Sequence, residues 1–126
     1  MSLDCTAGWA SRPGFACSTP LAYMDMLVLM EKAEFILTDS GGLQEEATAP
    51  SIRKPVILLR TSTERPEAVQ AGFTVLVSLI RERILAAADA LLNEFPPLPN
   101  SSPFGDGHAS QRIARNITSE LPSISA

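Results

Sequence analysis

Apolar residues change their spacing several times along this chain. Leu21 to Ala33 carries apolar side chains around most of a helical circumference, with Pro20 just ahead of it and no Gly or Pro inside. That pattern predicts a helix buried on more than one side. Phe35 to Thr38 has strand character and runs into Asp39-Ser40-Gly41-Gly42, after which the acidic run Leu43 to Ala47 is helix-competent and Pro50 stops it. Pro55 to Arg60 is a continuous apolar run rather than an alternating one. Continuous runs belong to strands covered on both faces, as in parallel sheets. A short helix is predicted from Pro66, a residue suited to a first helical position, and Gly72 ends it.

Thr74 to Ser78 reads as a third strand. Ile80 to Glu94 is amphipathic, with Ile80, Ile84, Leu85, Ala88, Leu91 and Leu92 on one stripe. Phe95 to Pro99 breaks the pattern, and Ala109 to Leu121 predicts a last helix with Ile113 and Ile117 turned inward. Residues 1–19 show no period and read as an irregular leader. Strands alternating with helices over residues 20–126 predict one three-layer α/β domain with a small parallel sheet flanked by helices.

The turn at residues 39–42 carries the candidate chemistry. A strand that ends in a Ser/Gly turn and opens a helix leaves amide groups unpaired at the helix start, where the positive end of the helix dipole also lies. Such a place suits an anion, most often a phosphate, and Gly41 and Gly42 let a ligand approach the main chain. The same residues also read as Ser40 capping the helix beside a tight glycine turn. Both readings are open at this level.

Composition narrows the partners. The chain has 126 residues, enough for one domain with one core, and is 45% apolar and 19% charged. A net charge of −4 and scattered cations argue against nucleic-acid binding. No apolar run approaches the roughly 20 residues that span a bilayer, and no signal-peptide pattern opens the chain, so a cytoplasmic protein without a membrane partner is expected. Cys5 and Cys17 are too few for a disulfide framework or a structural zinc site and read as reduced thiols. No set of residues suggests a metal or a cofactor, and the one histidine, His108, reads as a surface residue.

Four motifs then stand in order: Leu37-Thr-Asp-Ser-Gly-Gly-Leu-Gln-Glu-Glu-Ala47, Lys54-Pro-Val-Ile-Leu-Leu-Arg60, Thr63-Glu-Arg-Pro-Glu-Ala-Val69 and Pro103-Phe-Gly-Asp-Gly107. Together they resemble the C-terminal half of the non-hydrolysing UDP-N-acetylglucosamine 2-epimerases, from about Pro20 to Ile117. The resemblance implies the B-type glycosyltransferase architecture, two Rossmann-like halves around a cleft, with this chain as the second half. It also implies site roles. Ser40, Gly41 and Gly42 would hold the UDP diphosphate, Glu46 would accept hydrogen bonds from the ribose, and Arg65 would face the nucleotide sugar. Met26 stands where the family usually sets an aromatic residue beside the uracil, and the segment from Ala47 to Arg53 is longer than the usual pattern.

Epimerisation at C2 of the sugar proceeds in the family by elimination and re-addition of UDP. It needs acid and base groups that come largely from the other half, so no catalytic residue is assigned here. The implied partners are UDP or a UDP-sugar, with a homo-oligomer or a separate N-terminal domain covering the exposed apolar surface. Two alternatives belong to other classes: the nucleotide-binding half of a glycosyltransferase or a hydrolysing epimerase, and a non-catalytic interaction module.

Overall fold

The computed structural model describes residues 13–94 and 97–120. Most of the leader expected over residues 1–19, and the end expected at Leu121, lie outside that range. Eight elements follow in order: α1 (Tyr23–Lys32), β1 (Ile36–Thr38), α2 (Gly41–Ala47), β2 (Val56–Leu58), α3 (Pro66–Gln70), β3 (Thr74–Leu76), α4 (Arg81–Asn93) and α5 (Ala109–Glu120). The strands form one parallel sheet in the order β1-β2-β3, with Leu37, Ile57 and Val75 in one register row.

The continuous apolar run explains the layering. In a strand, successive side chains point to opposite faces. Val56 accordingly joins a core with Met30 of α1, Ile36, Ala47 of α2 and Ile52, while Ile57 joins a second core with Val77 and Leu91 of α4. The central strand β2 is therefore covered on both faces, and all three of its residues are buried. The edge strands are less protected: Leu37 and Val75 remain about half exposed, at 48% and 45%. This is the three-layer arrangement that the pattern predicts.

Local chemistry sets the element ends. Ser40 is the N-cap of α2 in an extended conformation, and its hydroxyl accepts from the Leu43 amide at 3.4 Å. Pro66 occupies the first turn of α3. Gly72 then takes φ +83°, a left-handed conformation that ends the helix, and the Phe73 amide donates back to the Ala68 carbonyl at 2.9 Å. The segment after α2 closes on itself. The Lys54 amide donates to the Ala47 carbonyl at 3.0 Å, and Arg53 sits at φ 45°. From there its guanidinium donates to the Leu98 and Pro99 carbonyls at 2.7 and 3.1 Å, which pins the chain beyond α4 against this turn.

Several expectations need correction. Helix α1 buries only Met30, and Tyr23, Met24, Val28 and Leu29 are exposed, so it is not covered on more than one side by the described residues. Ile113 and Ile117 of α5 are 59% and 56% exposed instead of turned inward. On α4, Leu91 is buried and Ile84 and Ala88 pack beside it, but Ile80, Leu85 and Leu92 of the predicted stripe are exposed. An apolar stripe buries only where an element packs against it, and these faces meet none among the described residues. Cys17 is disulfide-bonded, which corrects the expectation of reduced thiols. Cys5 lies outside the described residues.

Candidate functional site

In a parallel sheet, the turns that leave the carboxyl ends of adjacent strands lie side by side. Here these are the β1–α2 turn, with Ser40, Gly41 and Gly42, and the β2–α3 loop, with Thr63 and Arg65. The amides of the first turn divide into two pairs. Ser40 donates its amide to Thr38 Oγ1 at 3.1 Å, and Leu43 donates to the Ser40 hydroxyl. The amides of Gly41 and Gly42 have no acceptor among the described residues. A side chain would also find room there: a Cβ at Gly41 would meet nothing within 4 Å, and one at Gly42 only Ser40 Oγ at 3.8 Å. Two donors without an acceptor among the described residues stand at the positive end of a helix, the arrangement that accepts an anion.

Glu46 lies one turn along α2 from Gly42, on the same helix face and about 6 Å further along the axis. It is half-buried, and no hydrogen bond or ion pair engages its carboxylate among the described residues. Arg65 is brought to α2 from the neighbouring loop. Its Nε pairs with the Glu45 carboxylate, and its Nη1 donates to the Glu64 carbonyl at 3.1 Å. Among the described residues it makes no side-chain pair with its sequence neighbours Glu64 and Glu67. The pair that does form is over a third exposed on both sides, so it contributes at most about 1 kcal/mol and leaves part of the guanidinium fork available. Met26 is half-buried and packs on the same core as Leu43.

A shallow depression of about 420 Å³ lies one strand further along, lined by Leu59, Arg60, Thr61, Ser62, Ser78 and Leu79. It does not include Ser40 or the two glycines. A second, of about 480 Å³, lies between Pro50 and the segment from Asn100 to Asp106. There Asp106 accepts from the His108 amide at 3.0 Å and pairs with Arg112. The amide bond first, and the arginine second, hold this carboxyl below its ordinary value, which favours the charged form at the start of α5. His108 itself is exposed, and no metal-ligating group of three residues occurs among the described residues. No helix among them is long and apolar enough to cross a membrane.

Residues 4–118 match the family model described as UDP-N-acetylglucosamine 2-epimerase, a range that begins inside the leader. The chain belongs to this family. A probable UDP-N-acetylglucosamine 2-epimerase of Ralstonia solanacearum is 50% identical over 102 residues, which cover 78% of this chain and 27% of that protein. The Methanocaldococcus jannaschii UDP-GlcNAc 2-epimerase in complex with UDP-GlcNAc and UDP superposes with a TM-score of 0.68 at 43% identity, over 79% of this chain and 26% of the other. A co-structure of an S. aureus protein with UDP gives a TM-score of 0.70 at 40% identity, over 85% of this chain and 32% of the other. The chain thus spans about a quarter to a third of these epimerase-family relatives.

Proposed function

We propose that this chain is the C-terminal, UDP-binding part of a UDP-N-acetylglucosamine 2-epimerase. The diphosphate lies on the Gly41 and Gly42 amides beside Ser40, the ribose hydroxyls donate to Glu46, and Arg65 turns its unpaired edge to the phosphates or the sugar. Met26 lies toward the base. The observation that carries this reading is the pair of glycine amides without acceptors among the described residues, where even a Cβ would find room, one helical turn from a carboxylate without a partner among them. A carboxylate so near a diphosphate is repelled unless neutral donors stand between them, and a ribose diol supplies those. Relatives solved with UDP or UDP-GlcNAc support the ligand class.

Interconversion of UDP-GlcNAc and UDP-ManNAc needs proton transfers at the sugar ring, and the described residues offer no acid–base set for it. The remainder of the family's chain supplies them, in one polypeptide or as a separate N-terminal partner. Taken by itself, this chain offers one side of the cleft that the resemblance implies, so its own affinity is expected in the micromolar to millimolar range. Calorimetry with UDP tests the assignment. Glu46→Ala should weaken binding about tenfold by removing charge-assisted hydrogen bonds from the ribose. The chain alone should turn over no UDP-GlcNAc. Wild-type affinity in Glu46→Ala would remove the ribose role.

A further inference from the structure

We propose that Gln44 and Thr63 form a positioning relay that fixes the two loops of the nucleotide site relative to each other. This inference rests on the function assigned above and names residues that the assignment does not use. Gln44 is a polar side chain with no exposed surface, set on the buried face of α2 beside Ala47. A fully buried amide is costly unless its groups are bonded, so its partners define its purpose.

Those partners belong to both loops. The Thr63 hydroxyl accepts from the Arg65 amide at 3.0 Å, which commits a lone pair and leaves its proton for the Gln44 side-chain oxygen, also at 3.0 Å. That acceptance orients the Gln44 amide, whose nitrogen then donates to the Ser40 carbonyl at 3.5 Å, the longer and weaker step. The order Arg65, Thr63, Gln44, Ser40 therefore runs in one direction, each group donating to the next. It connects the backbone that presents Arg65 to the backbone that begins the Gly41–Gly42 turn. Nineteen residues separate Gln44 from Thr63 in sequence. Inside a protein such a chain of bonds reinforces itself, and removing one member loosens the others. The relay touches no ligand. It holds the donors of one loop in register with the cation of the other.

Thr63→Val deletes the hydroxyl with little change of shape, and Thr63→Ser keeps it. Backbone amide resonances of the unliganded protein and UDP affinity are measured for both. Thr63→Val is expected to shift the Gly41 and Gly42 amide resonances across the sheet and to weaken UDP about five- to tenfold, the loss of one buried hydrogen bond. Thr63→Ser should restore both to within about twofold of wild type. Thr48→Val serves as the control. It also loses a buried hydroxyl, one bonded to Ser102 at 2.6 Å, and should leave both readouts unmoved. Unmoved glycine resonances in Thr63→Val, failure of Thr63→Ser to restore them, or an equal shift in Thr48→Val overturns the relay. If wild type binds no UDP, the functional assignment fails, and the resonances still decide the relay by themselves.

Discussion

Replacing Ile57 with alanine is expected to destabilise the domain by about 2–5 kcal/mol, read as a lowered denaturant midpoint. Ile57 has no exposed surface, sits at the middle of the central strand, and packs with Val77 and Leu91 beneath α4. Its register neighbours Leu37 and Val75 are each about half exposed, so they cannot close over the cavity without moving the edge strands. Domains of this kind hold a total of about 5–15 kcal/mol, and the loss is a large share of that. Ile117→Ala is the companion measurement. The repeat along α5 suggests an inward side chain, yet Ile117 is 56% exposed and should cost no more than about 0.5 kcal/mol. Equal losses at both positions would contradict the described core.

Gly41→Ala is expected to separate stability from binding. Gly41 is the first residue of α2, its φ is not in the left-handed region, and a Cβ there meets nothing within 4 Å. Alanine restricts the unfolded chain more than glycine does, so stability should hold or rise by up to about 0.5–1 kcal/mol. On the proposed reading, the added methyl group would crowd the phosphate oxygen that reaches the amides. UDP affinity should therefore fall at least about tenfold, roughly 1.4 kcal/mol, while the thermal midpoint does not fall. Were the glycines only a tight turn beneath a serine cap, the midpoint would behave in the same way and UDP binding would be unchanged. Calorimetry and thermal denaturation on one sample distinguish the two.

The parts of the fold legible in the sequence are those decided by local chemistry. Pro55 to Arg60 announces a strand covered on both faces because burial on both faces requires apolar residues at successive positions, and Val56 and Ile57 do enter different cores. Ser40 before two glycines and an acidic run announces a helix start because capping is a three-residue event, and the Leu43 amide meets the Ser40 hydroxyl as the order implies. The faces of α1 and α5 were not legible. Periodicity says that a stripe exists, while the element that covers it is a matter of the rest of the assembly. Nor could the sequence show that Arg65 pairs with Glu45, since that contact spans twenty residues and depends on the register of β1 and β2.

Gln44 was hidden for a related reason. Seven residues are too few for a helical period to reveal that a glutamine occupies a buried position, and its partner arrives from another loop. Arg53 was hidden too, because only the folded turn shows that its left-handed backbone aims the guanidinium at Leu98 and Pro99.

The proposed UDP-binding role depends on two amides at the start of α2 meeting a diphosphate. A titration of the isotope-labelled wild-type chain with UDP, followed at the Gly41 and Gly42 amide resonances, measures that contact where it occurs. Saturable shifts at both glycines, with a midpoint between micromolar and millimolar UDP, are the predicted result. Resonances that stay fixed through millimolar UDP, or shifts confined to residues away from the β1–α2 turn, would contradict it.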